Sequence, residues 1–182
     1  MYKYNWYQWI LFFYIYCFLG WVFESSYVSL KKRHFVNRGF LLLPLLPLYG
    51  TGAVMMLWLS LPVKDSLILV YLAGVLGATV LEYVTGWGME QLFKVKYWDY
   101  SDQRFNFHGY VCLSSSIAWG FLTILLTEVI HRPIEHYVLG LPASVALACT
   151  FSISLLFVMD SVHSIKTALD FAKVLDTMTR MR

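Results

Sequence analysis

Glu24, Glu82 and Glu90 stand, with Arg38, in or beside stretches otherwise too apolar to hold a charge. An ionised side chain at membrane depth costs at least about 2.5 kcal/mol, so such groups turn inward and find partners. Three carboxylates outnumber the one nearby cation. Either some carry a proton, or a cation or cationic solute sits among them. The alternative is a set of interhelical ion pairs, Arg38 with Glu24 for instance, that only fixes the helices. Asp160 and His163 have a helical spacing that can hold a metal together with Glu82 or Glu90, yet no second histidine follows at a zincin-like distance. Ser114, Ser115 and Ser116 lack the glycine-flanked turn of a nucleophile elbow and read as hydrogen-bonding to backbone or to a neighbouring helix. No G-x-x-x-x-G-K-[ST] and no G-x-G-x-x-G is present, so any ATP hydrolysis must come from another polypeptide. Catalytic and metal-ligating residues stay unassigned, and no cofactor is implied.

The elements that must position these residues follow from composition. Of 182 residues, 59% are hydrophobic and only 14% charged, which cannot coat a water-soluble globule with polar surface. A soluble enzyme, a disordered tail and a disulfide-stapled module are excluded. The net charge of +3 is too small to argue for nucleic acid. Cys17, Cys112 and Cys149 fall inside apolar runs and read as small core residues.

A helical span needs about 20 mostly apolar residues. Five stretches qualify: Trp6 to Leu30, Gly39 to Leu61, Ser66 to Gly88, Gly109 to Ile130 and Val138 to Ser161. The first has no basic leader or A-x-A-like cleavage site, so it reads as a permanent helix. The segments Lys31 to Arg38, Lys94 to Arg104 and Lys166 to Arg182 together carry eleven Lys and Arg, against three at Lys3, Lys64 and Arg132. The positive-inside rule then places the N-terminus outside and the C-terminus in the cytoplasm. The expected fold is an all-α integral membrane protein. A five-helix transmembrane domain covers residues 1–163, and a cytoplasmic amphipathic tail covers 164–182.

Pro44 and Pro47 should kink or partly unwind the second span near its cytoplasmic start. Gly74, Ala78, Glu82, Gly86 and Glu90 recur every four residues, a stripe that admits a close neighbour and sets two carboxylates on one face. In the tail, Ile165, Ala168, Phe171, Ala172, Leu175 and Met178 repeat at three-to-four spacing, as in a helix lying on the inner leaflet or against a partner. The aromatic residues Tyr2, Tyr4, Trp6, Tyr7 and Trp9, and again Tyr97, Trp98 and Tyr100, read as interfacial belts. Under this topology Glu24, Arg38, Glu82, Glu90, Asp160 and His163 all lie toward the cytoplasmic face. The loop with Asp99, Tyr100, Asp102, Arg104, Asn106 and His108 joins them. The outer side offers mainly Glu128, Arg132, Glu135 and His136, of which Glu128 and Arg132 have the spacing of an ordinary exposed helix pair.

The segments GWVFES (20–25), NRGFLLLPLLPLYGTGA (37–53), LEYVTGWGMEQLF (81–93), YWDYSDQRFNFHGYVCL (97–113) and SSSIAWG (114–120) resemble the ABC-transporter type IV family of small bacterial membrane proteins. The resemblance spans roughly residues 15–120. It implies a multi-pass protein of the bacterial cytoplasmic membrane, and by position it marks Glu24, Asn37, Arg38, Tyr49, Glu82, Glu90, Asp99, Tyr100, Asp102 and Asn106. These serve here as the candidate substrate-binding set. The stretch after about Glu128 matches no quotable motif, so Asp160 and His163 rest on local reading.

The leading expectation is a permease-like transport component, with solute bound between the first three spans and a separate ATPase as partner. Five helices enclose little room for a channel, which implies a homo-oligomer or a partner subunit in the lipid. A membrane enzyme acting on lipid headgroups, with Asp99, Asp102, His108 and His163 as acid, base or ligands, is the alternative. A noncatalytic assembly or regulatory factor whose tail docks a partner is the third reading.

Overall fold

The fold is taken from a computed structural model that describes residues 4–180, with side chains described to residue 171 and at Lys173. Its elements are α1 (Trp6–Lys32), α2 (Pro47–Ser60), α3 (Leu67–Phe93), β1 (Asn106–Phe107), β2 (Val111–Cys112), α4 (Leu113–Leu125), α5 (His131–Gly140) and α6 (Ala143–Arg180). A turn of 3₁₀ helix, Leu61–Val63, continues α2, and a π turn, Leu126–Ile130, joins α4 to α5. Among the described residues four helices are long and apolar enough to cross a membrane: Trp6–Lys32, Leu67–Phe93, Leu113–Gly140 and Ala143–Phe171. This is a helical membrane protein. Large apolar side chains such as Phe23, Ile68, Leu76 and Phe151 stand more than 60% exposed on its outside, as a hydrocarbon solvent requires.

The second expected span does not form one crossing helix. Residues 39–46 are not helical, and the helix begins at Pro47, whose missing N–H is no loss in a first turn. Pro47–Val63 is left as a shorter apolar helix. The unwinding expected from Pro44 and Pro47 is therefore present, and it is complete. Three of its backbone donors, and that of Arg38 just before it, are met from other elements. Leu42 and Leu43 donate to Asp160 Oδ1 and Oδ2 at 3.2 and 2.8 Å, Leu46 to the Cys17 carbonyl at 3.0 Å, and Arg38 N to Ser25 Oγ at 3.1 Å. Protein thus replaces the water that the bilayer cannot supply.

The fourth and fifth spans have shifted ends. Residues 106–112 form a hairpin with Asn106 opposite Cys112, so α4 starts at Leu113 rather than Gly109. Arg132, Glu135 and His136, expected between the fourth and fifth spans, are helical in α5, and Arg132 pairs with Glu128 one turn back at 2.7 Å, as their helical spacing suggested. The π turn before them widens the helix where Pro133 would otherwise collide with the preceding turn. The chain reverses instead at Leu141–Pro142, with Leu141 extended as a residue before proline prefers (ψ 136°).

Close approaches set the helix order. Gly20 of α1 receives the Tyr49 ring, and Gly50 of α2 receives Cys17 and the Phe13 carbonyl. The stripe on α3 is buried as expected at Gly74, Ala78, Glu82 and Gly86, with Gly74 against Thr123 and Gly86 against Trp98 and Tyr110. α6 lies on α1, where the Tyr14 hydroxyl donates to Ser154 at 2.8 Å. Cys17 and Cys112 are buried, but Cys149 is exposed on the outer face of α6. α6 runs without interruption past residue 164, so the tail continues a spanning helix. The side chains of Ala172, Leu175, Met178 and Arg180 lie outside the described residues, as do Tyr2, Lys3 and Arg182.

Candidate functional site

Glu82 sits near the middle of α3 and is 6% exposed. Its Oε1 accepts from the Tyr100 hydroxyl at 2.9 Å, and its Oε2 from the Trp119 indole at 3.1 Å and from Ser115 at a longer 3.4 Å. Trp119 and Ser115 come from α4, which the small-residue stripe brings against α3. Tyr100 comes from the 94–112 loop. Tyr49, seated on Gly20, points its hydroxyl at Glu24 and faces Glu82 and Tyr100. Glu24, one turn beyond Gly20, pairs with Arg38 at 3.3 Å.

The structure therefore brings Glu24, Arg38, Tyr49, Glu82 and Tyr100 together, but not around one shared cation. Arg38 is committed to Glu24, and among the described residues no ion pair reaches Glu82. Glu90 accepts from Tyr110 at 2.5 Å, so the two carboxylates on one stripe serve different partners. Asn37 is exposed and accepts from the Trp21 indole at 2.6 Å. Asp102 is exposed.

Asp99 and Asn106 shape the loop that carries Tyr100. Asp99 Oδ1 accepts from both the hydroxyl and the amide of Ser101, and these bonds hold its carboxyl below the usual range. Asn106 donates to the carbonyls of Ser101 and Gln103 and accepts from Gly109 N. Gly109 has φ +75°, and a side chain there would strike Asp99 and Ser101, so this turn admits only glycine. Trp98 Nε1 donates to the Tyr110 carbonyl at 2.9 Å and Tyr100 N to the Gly109 carbonyl at 2.8 Å. The result is a rigid hook that presses one phenol toward the bundle. Burial and the facing Glu82 raise the pKa of Tyr100, so its hydroxyl keeps its proton and donates. Tyr100 is thus no belt residue.

A cavity of about 260 Å³ opens beside Glu82 among α1, α2, α3 and α4. Its walls are apolar except at its ends and at Thr123. Glu82, Tyr49 and Trp119 stand at one end, and Tyr16 and Ile130 toward the other. Leu19, Phe23, Leu122 and Leu125 line it and are also exposed on the outside of the bundle.

Sequence reasoning missed a second network at that far end. His131, 2% exposed, meets the Tyr16 hydroxyl at Nδ1 (2.8 Å) and the Tyr4 hydroxyl at Nε2 (3.1 Å), while Tyr4 donates to Glu135 at 2.8 Å. A neutral imidazole protonated at Nε2 satisfies all three contacts. Burial and Glu135 raise the Tyr4 phenol's pKa, which keeps it a donor. Nothing in the spacing of Tyr4, Tyr16 and His131 signals this meeting. The π turn that brings His131 inward is not legible from hydropathy.

The groups weighed for catalysis lie apart. His108 Nδ1 is 3.0 Å from the Tyr83 hydroxyl at the hairpin, His163 is exposed on α6, and Asp160 is engaged by the Leu42 and Leu43 amides. Among the described residues no three His, Cys, Asp or Glu side chains are grouped to hold a metal.

The family described as "Putative ABC-transporter type IV" matches residues 11–165. The chain belongs to this family. The match extends well past residue 120, where quotable motifs end, and takes in the π turn, His131, Asp160 and His163. No curated protein and no solved structure matches the chain. The family places the molecule among transporter-related membrane proteins, and the Glu82 network falls within its matched residues.

Proposed function

We propose that this chain is a permease-like component of a bacterial inner-membrane transporter, in which Glu82 accepts the cationic group of a solute or a proton. The observation that carries this reading is a carboxylate at mid-helix, met by neutral donors alone among the described residues, at the wall of a cavity. Neutral donors spread a buried charge without cancelling it. A positive ligand or a proton therefore gains most from this position.

The broken second segment supports the same reading. Its unwound part reaches the depth of Cys17 before α2 begins, and in membranes such breaks line solute sites. Taken as a composite fifth crossing, it gives the topology with the N-terminus outside, and the asymmetry of Lys and Arg then opens the Glu24 and Tyr100 end toward the cytoplasm. Arg38 neutralises Glu24, so Tyr49 and Tyr100 are the groups left to guide a solute to Glu82. Glu90, Asp99 and Asn106 act by holding the hook that carries Tyr100. Asn37 and Asp102 stand at its cytoplasmic approach. Energy comes from a separate ATPase, and a second copy or partner subunit completes the pathway.

Glu82→Gln keeps the shape of the side chain and an acceptor oxygen for Trp119 and Ser115, reverses the bond to the Tyr100 hydroxyl, and removes the charge. Membrane vesicles containing wild-type protein and its partner, energised with ATP, should accumulate or lose a solute that vesicles with the variant do not, as read by mass spectrometry of their contents. Thermal unfolding of the variant should stay near wild type. Identical vesicle contents remove Glu82 from the function.

A further inference from the structure

We infer that the ligand of the Glu82 cavity is a single-chain amphiphile with a protonated amine head, entering sideways from the lipid. This rests on the reading of Glu82 as an acceptor and adds what it accepts. The cavity offers a carboxylate only at the end with Glu82, Tyr49 and Trp119; beyond it the wall is apolar except for Thr123 and, at the far end, Tyr16, whose hydroxyl is engaged by His131, so a hydrophilic solute would leave most of that wall unmatched. A methylene needs about the space of a water molecule in the liquid, roughly 30 Å³, so 260 Å³ holds eight or nine carbons. Along α2 the lining runs from Leu48 to Met56, roughly 12 Å at 1.5 Å per residue, which leaves a cross-section of about 20 Å². That is the girth of one alkyl chain.

The route of entry follows from exposure. Leu19 and Phe23 of α1 and Leu122 and Leu125 of α4 belong both to the cavity wall and to the outer surface, with Phe23 64% exposed. In a bilayer this gap faces acyl chains. Charge selects the head. Glu82 is the carboxylate on the wall, and no cation among the described residues pairs with it, so an ammonium is bound and a carboxylate repelled.

The test uses the full-length protein in nanodiscs of zwitterionic lipid, titrated with 8-bromooctylamine, 8-bromooctanol or 8-bromooctanoate. The bromine quenches tryptophan fluorescence, and Trp119 lines the cavity. The amine should quench saturably and at least about tenfold more tightly than the carboxylate, the effect of one hydrogen bond to a charged group. Glu82→Gln should lower the amine to the affinity of the alcohol. Gly52→Leu should abolish the saturable phase for all three while the protein still folds, because a Cβ at Gly52 meets only Leu81, at 3.6 Å, and the longer side chain fills the cavity. Amine quenching no tighter than that of the carboxylate, or unchanged in Gly52→Leu, overturns the proposal. If that happens while Glu82→Gln still alters vesicle contents, the ligand class is wrong and the role of Glu82 stands. Tight amine binding with unaltered vesicle contents would keep the ligand and remove transport.

Discussion

Replacing Gly50 with alanine should lower the apparent unfolding temperature of the solubilised protein by about 5–10 °C, the effect of roughly 3 kcal/mol on a chain of this size. A single methyl group is enough because of what surrounds it. A Cβ built on Gly50 falls 2.6 Å from the Phe13 carbonyl oxygen and closer still to Cys17 Sγ. The sulfur is buried and the oxygen is backbone, so neither can swing aside. α1 and α2 must separate, and close backbone approach is much of what holds helices together in lipid. Separation also carries Tyr49, the preceding residue, away from Glu24 and the cavity. The same substitution at Gly88, where a Cβ meets nothing within 4 Å, should be neutral or stabilising by up to about 1 kcal/mol. Scanning fluorimetry of both variants makes the comparison. Equal unfolding temperatures would mean that the α1–α2 contact is looser than its geometry.

The elements legible in the sequence are those written in hydropathy and in backbone chemistry. Apolar length located α1, α3 and α6, Pro44 and Pro47 located the unwound stretch, and four-residue spacing located the buried face of α3. The pairing of Arg38 with Glu24 was open as one reading of the charges. The grouping of the remaining polar residues was not legible, because hydropathy ranks how deep a residue lies and not which neighbour it meets. Tyr100 looks interfacial until the Asp99 turn and Gly109 are seen to bend it inward. Glu135 and His136 look like a link between spans because their polarity ends the apolar run, although the spacing of Glu128 and Arg132 already pointed to a helix there. Ser115 hydrogen-bonds to backbone and to a neighbouring helix, as its sequence suggested, at the Cys112 carbonyl and at Glu82, whereas Trp119, in SSSIAWG, carried resemblance but no predicted role. Their meaning depends on α4 starting at Leu113, where the hairpin ends, which sets both toward Glu82.

Asp160 shows the same gap between composition and partner, and it supports the second large effect. Its position beside His163 suggested a metal ligand, yet both carboxylate oxygens accept backbone amides of the unwound segment, Leu42 at 3.2 Å and Leu43 at 2.8 Å, and Oδ1 also accepts from Ser164. Asp160→Ala removes both acceptors. Each amide left without a partner away from water costs about 1–3 kcal/mol, so the pair costs roughly 2–6 kcal/mol, a large share of the stability of an ordinary domain. The loss should be local at first. Pro44 and Pro47 prevent residues 39–46 from winding into a helix to satisfy themselves, so the segment detaches from α6. Hydrogen exchange should then speed up at Leu42 and Leu43 while amides in the middle of α3 keep their protection. Asp160→Asn, which retains one carbonyl oxygen and turns a donor toward the other amide, should lose about half as much. Unchanged exchange at 42 and 43 in the alanine variant would show that water or lipid headgroups already reach this segment. The break in the second span would then open directly to solvent rather than being held shut by α6.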